Sequence, residues 1–168
     1  VLGDHVVYVN AAGCFTMLAA YPYSSFKGSW LYTTMGSAPA GAQGIRDALD
    51  VLIAKGKLPK SEDLKVVVLG GDGSTYDMAL SSTSGALNRK LDFYYICYDN
   101  EAYMNTGVQR SSATPPAART ATTMPVGPQP GNVFGQGKNL PLIAMAHEIP
   151  YVATATVADL HDLEYKVT

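Results

Sequence analysis

With 168 residues, the chain is long enough for one domain with a proper hydrophobic core. Its formal net charge of −2 leaves no basic footprint for nucleic acid. Charged residues make up 15% of the chain, below the roughly 25% of a typical soluble domain.

The charges are unevenly placed: none falls in residues 6–26, 28–45 or 120–137. Tracts this long exceed what one core can absorb, so part of the surface is expected to be covered by partner chains. Residues 6–21 are interrupted by Asn10, Gly13 and Thr16 and fall short of the about 20 apolar residues of a membrane span. They also lack the basic flank of a signal peptide. Cys14 and Cys97 lie in different contexts and make no disulfide framework, so a reducing, cytoplasmic setting is expected. The chain opens at Val1 almost inside a strand and stops inside a helix, so 1–168 reads as a single domain cut from a longer subunit.

The first element expected is a strand over His5–Val9, closed by the turn Asn10–Cys14 and a short helix. Tyr21 to Thr34, aromatic, turn-rich and nearly uncharged, reads as interface packing around Trp30. The small-residue run Gly36–Gly44 leads into a helix over Ile45–Ala54, with Ile45, Leu49, Leu52 and Ile53 on one face. It does not spell Gly-x-Gly-x-x-Gly, so no dinucleotide site is read there. Lys55 to Asp63 is a charged, solvated connection.

Lys65-Val66-Val67-Val68-Leu69 has the β-branched character of a buried parallel strand. Gly70-Gly71-Asp72-Gly73-Ser74 follows. Glycines at that point let the backbone turn sharply and approach a ligand. Backbone N–H groups at the start of the next helix favour a phosphate. A carboxylate beside a phosphate is a natural Mg²⁺ ligand, which is the role expected of Asp72. A helix over about 76–89, with small residues from Ser81 to Ala86 for close packing, leads to a second strand, Phe93–Tyr98, that ends in Asp99-Asn100-Glu101. A strand–helix–strand unit brings the second strand back parallel, so both carboxyl ends share one sheet edge. Asp72 and Asn100 can then converge on one cation. The 26 residues between Gly73 and Asn100 match the spacing of the thiamine-diphosphate signature.

Glu101 to Pro116 reads as a structured loop, in which Asn105 by itself is an ordinary turn asparagine. The uncharged stretch 120–137 holds three prolines and four glycines, and a loop this long is functional, an interface or mobile. Gly131–Lys138 is not a P-loop, because Asn132 stands where its first glycine belongs and Asn139 where its Ser or Thr belongs. A short helix is expected over Leu140–His147, a last strand over Tyr151–Thr156, and a helix from Val157 with Asp159 near its first turn. His5, His147 and His161 have no metal-ligand spacing, and His147 is read as structural.

The run from Tyr95 to Gly107, Tyr-Ile-Cys-Tyr-Asp-Asn-Glu-Ala-Tyr-Met-Asn-Thr-Gly, followed by Gln109-Arg110-Ser111-Ser112-Ala113-Thr114-Pro115, closely resembles the thiamine-diphosphate-binding β subunit of the 2-oxoacid:ferredoxin oxidoreductases, which include pyruvate synthase. Ala12-Gly13-Cys14, Tyr21-Pro22 and residues 149–155 are similar to the same family. The resemblance implies a doubly wound, mainly parallel α/β sheet with helices on both faces. It implies thiamine diphosphate held at Gly71, Asp72, Gly73, Ser74, Asn100, Ala102, Asn105, Thr106 and Gly107. Mg²⁺ would take Asp72, Asn100, the Ala102 carbonyl, two diphosphate oxygens and a water. Asn105 would sit near the reactive carbon and the substrate. Oxidative decarboxylation of a 2-oxoacid, pyruvate by default, would pass electrons through iron–sulfur clusters to ferredoxin and the acyl group to coenzyme A. A partner subunit would supply the glutamate that activates the cofactor. Cys14 would be a [4Fe–4S] ligand, but a cluster takes about four thiolates, so the others must come from elsewhere.

Three other readings stand beside this one. They are a non-redox thiamine-diphosphate decarboxylase or synthase, a non-catalytic structural subunit of the same fold, and a Mg²⁺-dependent phosphoryl-transfer domain. The last would need a second carboxylate near Asp72, for which Asp77 is the candidate.

Overall fold

The computed structural model describes residues 2–60 and 64–168. Its centre is a four-stranded parallel sheet in the order β2-β1-β3-β4. The strands are β1 (Val6–Ala11), β2 (Ser29–Thr33), β3 (Lys65–Gly71) and β4 (Tyr94–Tyr98). Val66, Val67 and Val68 of β3 are wholly buried. A strand covered on both faces reads as an unbroken apolar run for that reason, and periodicity 2 is lost.

β2 lies inside the segment expected to be turn-rich, and this corrects that reading. Its residues are mostly exposed or half-buried, as befits the sheet edge, so it lacks the apolar run of β3. Gly28, just before it, has a packing reason: an added Cβ would stand 2.2 Å from the Val6 carbonyl oxygen.

One sheet face packs against helix α2 (Ala38–Ala54), whose Ala38, Ala42, Ile45 and Leu49 meet Val9, Ala11, Val66 and Val68. The helix therefore starts at Ala38 and not at Ile45. Its small first turns lie directly on the sheet, where a Cβ on Gly41 would come within 3.3 Å of Val9. Pro39 suits the first turn, where no backbone donor is lost. Gly56, at φ +64°, ends the helix: its N–H and that of Lys57 reach back to the Ile53 and Leu52 carbonyls. Of the charged connection that follows, Ser61–Asp63 lie outside the described residues. Helix α3 (Leu80–Asn88) packs beside α2. It is preceded by a π-helical turn, Gly73–Met78, so helical structure begins right after Asp72 and not at Tyr76.

The second face is built from Tyr8, Trp30, Val67, Leu69, Ile96 and Tyr98, covered by Phe15 and Phe26. Tyr8 and Phe26 stack with centroids 4.1 Å apart, and Phe15 meets Tyr98 at 5.5 Å. The helix on this side, α1 (Thr16–Ala19), is a single turn. The connection from β1 to β2 thus lies on one face and those from β2 to β3 and β3 to β4 on the other. That is the doubly wound arrangement right-handed crossovers require when the strand order reverses.

Beyond β4 come a two-stranded hairpin, β5 (Ala102–Tyr103) and β6 (Gln109–Arg110), helix α4 (Leu140–Met145) and helix α5 (Leu160–Val167). Asp159 is the N-cap of α5, accepting from the Asp162 N–H at 3.0 Å. Tyr151–Thr156 forms no strand among the described residues. α5 ties it down instead: Lys166 donates to the Thr154 carbonyl at 2.7 Å and Tyr151 to the Lys166 carbonyl at 3.1 Å.

The uncharged stretch 120–137 is knitted to the rest through Asn132, which is 2% exposed. Its amide donates to the Thr114 and Pro115 carbonyls and accepts from Arg110 Nε and the Phe134 N–H. Asn132→Ala would leave four such groups without their partner. It is expected to lower stability by about 3 kcal/mol in denaturant unfolding, the range for buried polar groups orphaned together.

Candidate functional site

β1 leads to β2 on one side and β3 leads to β4 on the other, so the crevice between the carboxyl ends of β1 and β3 is the switch point where open α/β sheets take ligands. A cavity of about 340 Å³ opens there. Gly71, Asp72, Gly73 and Ser74 line it from β3, Cys14 from β1, and Asn100, Ala102, Asn105 and Thr106 from β4 onward. The fold brings these expected site residues together. Gly107 is outside the lining: at φ +117° it closes the 3₁₀ turn Met104–Thr106, its N–H on the Met104 carbonyl.

Asp72 is 2% exposed. Asn100 Oδ1 stands 3.0 Å from Asp72 Oδ1 and 2.8 Å from the Ala102 carbonyl oxygen, while Asn100 Nδ2 faces Cys14 Sγ at 3.6 Å. Turned over, the amide would donate from Nδ2 to both oxygens. With Nδ2 inward the site is satisfied by the amide itself; with Oδ1 inward three oxygens meet, and a cation between them would take the place of the protons. Neighbouring ligands of octahedral Mg²⁺ lie about 2.9 Å apart, so this donor set fits that ion: one carboxylate and two neutral oxygens. Burial, chiefly, and the nearby Asp99 push the Asp72 carboxyl above the ordinary range, against a hydrogen bond from Ser111. A cation would relieve both pressures.

The third oxygen is aimed by a left-handed residue. Glu101 has φ +66°, a conformation that costs a non-glycine residue roughly 1 kcal/mol. It is held there by its N–H on Asp99 Oδ1 at 2.9 Å and by Thr114, whose hydroxyl donates to the Glu101 carbonyl. The glycines have a reason apart from ligand approach. A Cβ on Gly73 would lie 2.3 Å from the Tyr103 ring, and one on Gly71 would be 3.1 Å from Tyr98. Tyr103 in turn donates to the Gly73 carbonyl at 3.2 Å and to Asp77 Oδ2 at 3.0 Å. The Ser74 hydroxyl is spent on the Met35 carbonyl, so this side chain offers its proton to no ligand. Thr106 closes its own turn through Tyr103 and Gln109. The Asn105 amide, exposed to the cavity, makes no hydrogen bond among the described residues.

The thiamine pyrophosphate enzyme, C-terminal TPP binding domain, matches this chain over residues 11–168. The chain belongs to that family. Pyruvate synthase subunit PorB of Methanosarcina barkeri is 44% identical over 98% of the chain. The ketoisovalerate oxidoreductase subunit VorB of Pyrococcus abyssi is 42% identical, also over 98% of the chain. These matches cover 54% and 52% of those proteins, so the chain spans about half the length of the curated relatives it matches. Among solved structures, a 2-oxoglutarate:ferredoxin oxidoreductase from Magnetococcus marinus, with 2-oxoglutarate, coenzyme A and succinyl-CoA bound, superposes with a TM-score of 0.73 and 25% identity. It covers 98% of this chain and 49% of that one.

Within this TPP-binding domain several titratable groups are committed to structure. Asp77 does not line the cavity. Burial would raise its carboxyl, but hydrogen bonds from Ser112, Lys138 and Tyr103 together outweigh that and hold it below the ordinary range. It is no second carboxylate for phosphoryl transfer. The same contact spends Lys138, 3.2 Å from Asp77 Oδ1. His147 bridges Ser84 Oγ and the Ile143 carbonyl, each at 2.8 Å, as a structural histidine. Burial pushes the Cys97 thiol up to about 12, which makes it inert. No group of three His, Cys, Asp or Glu assembles among the described residues; the candidate cation site escapes that pattern because two of its oxygens belong to an amide and a backbone carbonyl.

The residues that sequence reasoning gave no role are Ser111, Tyr103 and Asn132. Tyr103 and Ser111 stood in the run that carries the family resemblance and Asn132 in the uncharged stretch 120–137, but nothing there marked their partners. Asp77 yields a test of its own. Its carboxyl is depressed relative to the unfolded value near 3.9, so its stabilisation is present above that pH and is lost as pH falls through the folded value. Asp77→Asn should lower Tm by about 4 °C at pH 7 in differential scanning calorimetry, and the gap to the native protein should close below about pH 4.

Proposed function

We propose that this chain is the thiamine-diphosphate- and Mg²⁺-binding part of a 2-oxoacid:ferredoxin oxidoreductase, acting on pyruvate with coenzyme A as acyl acceptor and ferredoxin as electron acceptor. The convergence of Asp72 Oδ1, Asn100 Oδ1 and the Ala102 carbonyl at the sheet switch point carries this reading. The curated relatives named pyruvate synthase and ketoisovalerate oxidoreductase subunits support the reaction class, and the PorB relatives support pyruvate.

Those three oxygens would hold Mg²⁺, whose charge would offset that of the diphosphate. Backbone N–H groups at Gly73 and Ser74, where the helical segment opens, favour the phosphates. When bound, thiamine diphosphate supplies the nucleophilic carbon and electron sink that let a 2-oxoacid lose CO₂. The chain's share is placement. The free Asn105 amide offers a donor to the oxygens of the substrate, and Thr106, Tyr103 and Gln109 hold the turn that carries it. Met17, Tyr32, Met35 and Met104 give the cavity apolar walls that limit water.

Partner subunits would close the site. Met17, which lines the cavity, is 67% exposed, and Tyr21 in the same uncharged tract is 94% exposed. Cys14 lines the same cavity, and a [4Fe–4S] cluster at this thiol would draw its remaining ligands from other cysteines, since Cys97 is buried and inert. Two unpaired thiols fit a cytoplasmic enzyme.

The reading is tested on the assembled, anaerobically purified oxidoreductase, by following ferredoxin or viologen reduction with a panel of 2-oxoacids with and without coenzyme A. Coenzyme-A-dependent reduction with pyruvate is the expected result. CO₂ release without acceptor reduction would replace it with a non-redox thiamine enzyme, and no turnover together with no cofactor binding would leave a structural subunit. Two substitutions separate the roles. Asp72→Asn should weaken Mg²⁺-dependent cofactor binding by more than the about 100-fold that losing a group behind the ligands costs, measured by calorimetric titration. Asn105→Ala should weaken that binding far less than Asp72→Asn and lower kcat by about 100-fold, as removal of one positioned donor does.

A further inference from the structure

The Mg²⁺ reading leaves one atom of Asp72 unexplained. Oδ1 faces Asn100, but Oδ2 accepts the hydroxyl of Ser111, 39 residues away in sequence and 1% exposed. An ionised carboxylate only accepts, so the Ser111 proton goes to Oδ2, and the Ala113 N–H donates to Ser111 Oγ at 3.1 Å, which holds the hydroxyl in place. Thr114 ties the same turn to the other side of the site: it accepts the Ser111 N–H at 3.0 Å and donates to the carbonyl of Glu101, the residue before Ala102. One buried turn thus grips both the carboxylate and the peptide that carries the third oxygen.

We infer that Ser111 is a positioning residue that makes Asp72 a one-oxygen ligand and thereby sets the site's preference for a small octahedral cation. This rests on the Mg²⁺ reading above and deepens it. A carboxylate free at both oxygens can chelate a larger ion, and Ca²⁺ accepts six to eight oxygens, often with a carboxylate bound through both. With Oδ2 engaged by a buried hydroxyl, a cation that took both oxygens would have to displace or crowd that bond, so binding through Oδ1 alone is favoured. The site then offers one oxygen from each of three residues, which suits Mg²⁺ or Mn²⁺. Ser112, the next residue, provides the contrast. Its hydroxyl and N–H hold Asp77, a carboxylate outside the cavity, so it shares the turn but not the ligand.

The experiment uses the full-length subunit assembled with its partners and supplied with thiamine diphosphate. Mn²⁺ binding is followed by electron paramagnetic resonance, and Mg²⁺ and Ca²⁺ are titrated as competitors. The native protein should prefer Mg²⁺ to Ca²⁺. Ser111→Ala should narrow that preference by about tenfold, the size of one hydrogen bond to a charged group. Ser112→Ala should lower Tm but keep the preference. The inference is overturned if Ser111→Ala keeps the native ratio within about twofold, if Ser112→Ala shifts it equally, or if the native protein does not discriminate. Where the alanine variant does not assemble, Ser111→Thr keeps a hydroxyl and should keep the ratio, while Ser111→Cys, a weak donor, should narrow it; equal ratios overturn the proposal. A native protein that binds no Mn²⁺ with the cofactor brings down the cation-site reading itself. That result is distinct from one in which the native protein and Ser111→Ala bind alike.

Discussion

A buried carboxylate joined through one side chain to a backbone carbonyl is the constraint on which the rest of the structure is arranged. Asp72 has almost no access to water, and the Asn100 amide stands 3.0 Å from its Oδ1 and 2.8 Å from the Ala102 carbonyl oxygen. Each of these polar groups is expensive to bury without a partner. The surrounding chain supplies the counter-forces. β3 and β4 pair in parallel with Gly71 opposite Tyr98, so Asp72 and Asn100 leave the sheet side by side. The left-handed turn at Glu101 carries the Ala102 carbonyl back toward Asn100. The turn 111–114 then clamps the carboxylate and that peptide together.

The loops beyond β4 are a rigid scaffold for this cluster. Tyr103 lies flat against Gly73, where no side chain would fit, and its hydroxyl spans the Gly73 carbonyl and Asp77. Burial, then Asp77, pushes that hydroxyl up to about 12, so it remains a donor through the physiological range. Ser112 and Lys138 complete the hold on Asp77, and the Lys138 N–H reaches the Ser112 carbonyl at 2.9 Å. Asn132 locks the following stretch through both ends of its amide. The glycines follow the same logic: Gly131 passes so near the Ala118 carbonyl that a Cβ would lie 2.2 Å from it.

Much of this was legible in the residues. The valine run of β3, the glycines after it and the aromatic run of β4 announced a strand–turn–helix–strand unit, and the positions of Asp72 and Asn100 at its two ends followed. Other parts were hidden for identifiable reasons. β2 is an edge strand with exposed residues and a glycine entry, so it resembles a loop until β1 is beside it. The first turns of α2 are alanines and glycines, poor in apolar periodicity because they touch the sheet through small side chains. Tyr151–Thr156 has strand-like residues but pairs with no strand among the described residues, and propensity without pairing makes no ladder.

By itself the sequence determined which chemistry-bearing residues exist and that Asp72 and Asn100 share a sheet edge, because a strand–helix–strand unit is local in the chain and its crossover has one hand. The family resemblance carried in the residues after β4 belongs to the same local level. Only the tertiary structure decided which oxygen of Asp72 faces Asn100 and which is capped by Ser111, that Gly73 makes room for Tyr103, and that Asp77 is bound to Ser112 and Lys138. Those outcomes rest on hydrogen bonds and ring contacts between residues tens of positions apart. Such contacts leave no periodicity for a sequence to display; they exist only once the sheet has brought the segments together.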